Sequence, residues 1–304
     1  MKFSIVLIFN PTAKNASGRK IERASHFLKS KGYKAEILFT EQKGHAESLA
    51  REAVKKSPSL IIAAGGDGTF NEIVNGIAGS EIPMAILPLG ATNVLAKELG
   101  LPENVESAME VAVRGTPKTV SIGKISITCH LSLVRTLADS PRRVTRYFLL
   151  MAGIGFDGEA VFRINETLKK ISGKGAYIFS GFKTLSVFNP DKLILDMDGK
   201  TYTGYSVIIS NVAKYGGNFK ITPDARLTDP FFYVCLFKGK RRLDILRYVT
   251  GIVAGKHLGF RDVEYVRAKN IDVEGDAHIQ IDGDYFGRSP ARIEVVPDTV
   301  RLVF

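Results

Sequence analysis

Gly65-Gly66-Asp67-Gly68-Thr69, set between an apolar run at residues 60–64 and a helical pattern, is the sharpest chemical feature of the chain. Glycines at such a turn bring backbone N–H groups close to a ligand. The helix N-terminus that follows adds a partial positive charge suited to phosphate. A carboxylate in that loop repels phosphate unless a divalent cation bridges the two, so Asp67 reads as a Mg²⁺-linked or hydroxyl-binding residue beside a nucleotide. The plainer alternative is a strand–helix turn in which Asp67 only caps the helix. Asn71-Glu72 extends the motif. A second loop of the same build, Pro88-Leu89-Gly90-Ala91-Thr92-Asn93, follows an apolar run at 84–87, and Thr92 or Asn93 has the chemistry of a helix cap. A third, Asn10-Pro11-Thr12-Ala13-Lys14, offers side-chain donors and a cation. Loops of this kind at the carboxyl ends of parallel strands are where open α/β sheets bind ligands. GxxxxGK[ST] does not occur, and none of these three loops carries GxGxxG, so they are neither the common P-loop nor the dinucleotide fingerprint.

The elements that must position these loops alternate. Strands are expected at 3–9, 35–39, 60–64 and 84–87, and helices at 19–30, 45–55, through 73–77 and at 93–99. That alternation implies a parallel sheet with right-handed crossovers. After a boundary near 116–121 the texture changes. Strands are expected at 122–127, 130–135, 147–152, 192–197, 202–211, 231–237, 264–273, 278–282 and 292–296, with helices only at 158–168, 176–187 and 243–254. Asp198-Gly199 and Asp282-Gly283 are turn formers, and this half reads as an antiparallel sandwich or barrel. With 304 residues the chain is long enough for two domains, 1–120 and 121–304, the last strand being free to return to the first. Hydrophobic residues at 45% and charged residues at 24% exclude bulk disorder. The longest uncharged apolar run is about half the ~20 residues of a membrane span, and residues 3–9 read as a buried strand rather than a signal peptide. Cys129 and Cys235, without CxxC or Cys/His clustering, fit a reducing cytosol and argue against a disulfide scaffold or zinc site.

At this point the motifs together resemble the diacylglycerol-kinase catalytic domain of bacterial lipid kinases, shared with sphingosine and ceramide kinases. The likeness rests on Asn10-Pro11, the run from Gly65 to Glu72, and Pro88 to Asn93. It continues with Gly153-Ile154-Gly155-Phe156-Asp157, Pro223-Asp224-Ala225 through Asp229, and Ile281-Asp282-Gly283-Asp284. It spans nearly the whole chain in the family's order; GGDGT alone is shared with NAD kinases and, loosely, phosphofructokinases. The resemblance implies an α/β nucleotide domain, a C-terminal β-sandwich with a cleft between them, and transfer of the γ-phosphate of ATP to a lipid hydroxyl such as that of diacylglycerol. Asn10, Thr40, Gly65, Gly66, Asp67, Gly68, Thr69, Asn71, Glu72 and Thr92 would hold ATP, with Asp67 nearest its Mg²⁺. Asp284 falls on the family's general base, with Asp282 and Asp157 orienting the base or the lipid headgroup. Read by itself, Asp282-Gly283 is also a strong hairpin turn. Asp229 matches the acid of the family's structural Mg²⁺ site. Asp284 stands where the family carries Glu, Ala91 where it carries Thr, and Val94 where it carries Asp. The shared GGDGT loop makes an NAD kinase-like enzyme one alternative, and these departures make a non-catalytic nucleotide- or lipid-binding regulator the other.

Lys and Arg number 42 against 31 Asp and Glu, a formal charge of +11 that points to an anionic partner. The densest clusters are Arg135, Arg142, Arg143 and Arg146, and Lys238–Arg242 with Arg247. No helix-turn-helix, RNP or zinc-finger pattern accompanies them, which disfavours nucleic acid. Transient contact with an anionic inner-membrane surface is the expectation, each cation near such a leaflet adding ~1 kcal/mol if the clusters share a face. Phe148, Phe156, Phe162, Phe179 and Phe182 are expected to line a lipid groove.

Overall fold

The computed structural model describes residues 4–129, 142–163, 189–216 and 219–304. The expected strand at 130–135 and helix at 176–187, with Arg135, Phe179 and Phe182, lie outside them. The chain divides into two units, Met1–Ile122 with Pro297–Phe304, and Gly123–Val296.

In the first unit β1 (Ser4–Phe9), α1 (Gly18–Ser30), β2 (Lys34–Phe39), α2 (His45–Lys55), β3 (Leu60–Gly65), α3 (Asp67–Ile77) and β4 (Met84–Pro88) alternate along the chain. α4 (Val94–Glu98), α5 (Val105–Arg114) and β5 (Pro117–Cys129) follow. The strands pair in parallel in the order β2-β1-β3-β4. Residues 5–9 and 60–65 are buried throughout, as strands covered on both faces must be. Ile5, Leu7, Phe9, Leu60 and Ile62 pack with Ile21, Ala24 and Leu28 of α1 and with Val105, Ala108, Met109 and Ala112 of α5. α5 is absent from the expected elements, although Asn104 caps it by accepting from Ser107 N at 3.1 Å and its buried residues recur at i, i+3, i+4, i+7. Its β-branched content masked a helical period that is otherwise regular.

The second unit is a sandwich. β6 (Arg142–Phe148) pairs with β5, which pairs with β18 (Ala291–Val303). β18 in turn lies beside β15 (Asn270–Glu274), β8 (Leu193–Met197) and β9 (Lys200–Gly204). The facing sheet runs β14 (Val263–Ala268), β13 (Phe232–Phe237), β10 (Ser206–Ser210), β7 (Met151–Ile154), β16 (His278–Ile281) and β17 (Asp284–Arg288). A separate pair is β11 (Lys214–Tyr215) with β12 (Phe219–Lys220). α6 (Phe156–Arg163) and α7 (Arg242–Val253) flank the sheets. One core joins both sheets through Ile125, Phe148, Leu195, Ile271 and Ile293 on one side and Ile154, Val207, Phe232, Val234 and Ile279 on the other. Phe148 is thus a core residue, fully buried and stacked on Phe232 at 5.7 Å, and lines no lipid groove.

Three runs that read as single strands are each two. Residues 147–152 break at Leu149-Leu150, 202–211 at Tyr205 and 264–273 at Lys269, and at each break the chain passes from one sheet to the other. Corners of this kind close a sandwich, and they hide in the sequence because both arms keep strand composition. β18 also runs past the expected 292–296, and its last residues reach the first unit, where Leu302 lies opposite Met84 in parallel.

Candidate functional site

In the first unit β2 sits on one side of β1 and β3 on the other, so the chain reverses direction across the sheet between β1 and β3. That switch point is where open sheets admit ligands. The loop after β1 and the loop after β3 meet there. Asn10 N donates to Ala64 O at 2.9 Å, and Asn10 Nδ2 donates to Thr69 Oγ1 at 3.0 Å. Asn10 Oδ1 accepts from Thr12 N at 2.9 Å and Thr12 Oγ1 at 2.8 Å, holding its own loop in shape. The loop after β4 joins through Leu89 N to Gly65 O at 2.7 Å, Asn15 N to Leu89 O at 2.8 Å and Asn15 Nδ2 to Gly90 O at 2.7 Å. Gly66 and Gly90 face each other so closely that a Cβ on Gly90 would stand 2.6 Å from Gly66 Cα, and one on Gly66 3.1 Å from Gly90 Cα. Glycine at both positions is therefore a packing requirement. Thr40, buried, adds the end of β2 to the same cluster through its N–H to Phe9 O at 2.9 Å.

The acids of the motif turn away from their own helix. Asp67 opens α3, yet its carboxylate accepts from Val94 N and Leu95 N, both at 3.0 Å, and so caps the first turn of α4. Burial raises its pKa above the ordinary carboxylate value, opposed by those two N–H groups and by Lys97. Asn93 does not cap α4: it stands in the left-handed region at φ 48° and accepts from Gly90 N at 2.8 Å. Glu72, a turn and a half further along α3, accepts from Gly44 N at 2.8 Å and Ala46 N at 3.1 Å, capping α2, whose own N-cap Gly44 has no side chain to offer. Asn71 is buried and accepts from Asn75 Nδ2 at 3.2 Å. His45 accepts from Glu41 N at 3.1 Å, a helix-start bond. Gly68, Thr92 and Lys14 remain toward solvent at the loop cluster.

In the second unit Asp282 and Gly283 are the central residues of the two-residue turn between β16 and β17, with φ of 49° and 88°. Positive φ at both positions is the primed hairpin geometry that Asp-Gly favours. The Asp282 carboxylate accepts from Leu149 N at 2.7 Å, Leu150 N at 2.8 Å and Met151 N at 2.9 Å, bracing the corner between β6 and β7. Asp157, in the first turn of α6, is buried. Its carboxylate accepts from Gln280 Nε2 at 2.6 Å and from the Tyr215 hydroxyl, and burial raises its pKa against both bonds. Gln280 accepts in turn from Gly283 N at 2.8 Å, so Asp157 is wired to the turn that precedes Asp284. Asp284, half-buried, opens β17 opposite Ile281.

Gln280 and Tyr215 are participants that the sequence does not announce, because nothing in either local pattern marks a partner on α6. The same is true of His278. Its Nε2 lies 3.1 Å from Glu159 and 2.6 Å from Arg288, its Nδ1 is 3.0 Å from the Tyr285 hydroxyl, and Phe162 stacks on its ring at 4.2 Å. Phe162 is exposed and covers this cluster, which borders a cavity of about 150 Å³ walled by Gly155, Arg163, Asn189 and Pro190. Among the described residues no group of three or more His, Cys, Asp and Glu side chains is arranged to hold a metal. Asp229 accepts from Arg226 N at 3.1 Å within its own turn.

Comparison with known proteins identifies both halves of the chain. Residues 4–125 match the model of the diacylglycerol kinase catalytic domain, and residues 151–304 match the YegS C-terminal NAD kinase beta sandwich-like domain. The chain belongs to the bacterial lipid kinase family. A diacylglycerol kinase of Bacillus subtilis is similar to this lipid kinase at 29% identity over 298 residues, 93% of this chain and 90% of that one. One from Staphylococcus aureus matches at 29% over 292 residues, 94% and 87% of the two chains. A solved structure of a candidate diacylglycerol kinase from Bacillus anthracis superposes with a TM-score of 0.77 at 25% identity, covering 100% of this lipid kinase and 96% of that chain. The α/β domain followed by an antiparallel sandwich, and the class of phosphotransferase with an alcohol acceptor, are those of the family.

Proposed function

We propose that this lipid kinase transfers the γ-phosphate of ATP to the hydroxyl of diacylglycerol or a related long-chain lipid alcohol. The observation that carries the reading is its likeness, over 93% of the chain, to a Bacillus subtilis protein named diacylglycerol kinase. The loop cluster supports the nucleotide half. The first N–H groups of α3 have no partner inside the helix, and they open at the switch point of the sheet. Asn10, Thr40, Gly65, Gly66, Gly68, Thr69 and Thr92 are the proposed ATP contacts. Asn71 and Glu72 complete the proposed nucleotide site, Glu72 by also capping α2. Mg²⁺ bound with ATP would offset phosphate charge. Asp67 is the carboxylate proposed beside it, each oxygen keeping a lone pair beyond the one that accepts from α4.

On the acceptor side Asp284 takes the hydroxyl proton as the lipid oxygen attacks the γ-phosphorus. The bond from that phosphorus to the β,γ-bridging oxygen breaks and ADP leaves. Asp282 and Asp157 are positioning residues. The first fixes the turn that presents Asp284, and the second ties α6 to that turn through Gln280. The acceptor is proposed to be met at the cytoplasmic surface of a bilayer; among the described residues no helix is long and apolar enough to cross one.

Labelled ATP with Mg²⁺, a panel of lipids and NAD tests the reading. Label in a lipid phosphate is the expected result. Label in NAD would replace the proposal with an NAD kinase, and bound ATP without any product would favour a regulator. Asp284→Asn is expected to lower kcat by ~10²–10⁴-fold, the range for loss of a general base, with ATP affinity unchanged. Full turnover in that variant removes Asp284 from the role.

A further inference from the structure

α7 carries two apolar faces. Ile245 and Tyr248 are buried against the sandwich, as an amphipathic helix requires. The opposite side presents Leu243, Leu246, Val249 and Val253, which are 78%, 42%, 44% and 60% exposed. At 3.6 residues per turn these four fall within about a third of the helix circumference, which they share with Arg242 and Thr250.

Cations rim the stripe. Lys240, Arg241 and Arg242 lie at its start and Lys256 and Arg261 beyond its end, all toward solvent. None of the five has an acidic partner among the described residues; Lys240 rests over the Tyr205 ring at 5.8 Å. The acids of this region are already engaged. Asp244 accepts from Arg241 N at 3.1 Å, Asp262 accepts from Arg247 and the Tyr248 hydroxyl, and Glu264 pairs with Lys238 at 2.6 Å. The surface around the stripe is therefore positive and locally uncompensated. Arg143 and Arg146 of the other basic cluster lie on β6, in the sheet opposite the one whose Phe237 packs on Tyr248 of α7.

We propose that α7 is the membrane-docking element, its apolar stripe entering the headgroup boundary of an anionic bilayer while Lys240, Arg241, Arg242, Lys256 and Arg261 meet lipid phosphates. An in-plane helix with one apolar face and a basic rim is the chemistry of interfacial binding, and charge complementarity selects an anionic lipid surface over an apolar protein partner. The inference rests on the lipid-kinase reading only for the use made of docking; the binding itself is measured without ATP.

Flotation of the full chain with phosphatidylcholine vesicles, with and without phosphatidylglycerol, is the test. Wild type is expected to bind the anionic vesicles and to be released by salt. The double variant Leu243→Glu/Val253→Glu, at exposed positions and expected to unfold at the wild-type temperature, is expected to lose more than tenfold in binding. Arg241→Gln/Arg242→Gln is expected to lose about fivefold per cation. Three results would overturn the proposal: anionic binding by the double variant equal to wild type, equal wild-type binding to both vesicle types, or a dimer in analytical ultracentrifugation that the double variant abolishes while vesicle binding persists. Phosphorylation of a detergent-dispersed short-chain diacylglycerol separates this from the catalytic reading. The double variant is expected to match wild type there and fall behind only on vesicles, and an equal loss on both substrates also overturns the docking role. Absence of phosphorylation by wild type itself counts against the kinase reading alone, with vesicle binding still deciding the docking surface.

Discussion

Asp67, Glu72 and Asp282 look in the sequence like ligands for something absent from the chain, and in the structure each holds backbone N–H groups of a neighbouring segment. The two readings coincide at a phosphate site. A carboxylate that fixes a loop also sets where the loop's own N–H groups point. His278 belongs to this scale too. Burial lowers its pKa below the ordinary 6.5, as do Arg288 and Arg163, while Glu159 and Asp276 oppose the shift. As pH falls through 6.5 the unfolded chain takes a proton that the folded imidazole resists. Folding stability is therefore expected to drop from pH 7 toward 5. Urea unfolding across that range checks it, and His278→Gln is expected to flatten the slope. An equal slope in the variant would place the pH dependence elsewhere. Nothing local announces this role, because Glu159 and Arg288 reach His278 from a different helix and a different strand.

At the scale of elements, the corners of the sandwich decide the geometry. Two of the three are braced in the same way. Asp198 sits in the left-handed region at φ 50° in an Asp-Gly hairpin turn, and its carboxylate accepts from Lys269 N at 2.8 Å and Asn270 N at 3.0 Å, at the corner between β14 and β15. Asp282 repeats the device between β6 and β7. Both Asp-Gly turns were legible as turns. What the side chains brace was not, since the braced corners lie more than seventy residues away. Ala at either position strands several N–H groups and adopts the left-handed region unfavourably, at a combined cost of about 2–4 kcal/mol. Asp198→Ala is expected to lower the urea midpoint with kcat unchanged. Asp282→Ala is expected to lower it at least as far and to reduce kcat as well, because its turn presents Asp284. Equal kinetic effects from the two variants would detach Asp282 from catalysis.

At the scale of the whole molecule, the chain returns to where it started. Residues 297–304 belong to the first unit, with Val300, Leu302 and Val303 buried and Leu302 beside Met84. Leu302→Ala is expected to cost about 2–5 kcal/mol, read as a lower unfolding temperature. A chain ending at Val296 is expected to unfold without a cooperative transition for residues 1–122; a transition like that of the full protein would show the last strand to be dispensable. The amino-acid sequence alone determined the alternating α/β half, the β-rich half, the glycine loops and the order of the acidic motifs. Those are properties of local period and turn chemistry, carried within about ten residues. Tertiary structure alone decided which helix each acid caps, where a long apolar run breaks to change sheets, that Phe148 is core, and that one face of α7 stays uncovered. Each of these depends on partners brought together from distant parts of the chain, and on burial, which no short stretch of sequence contains.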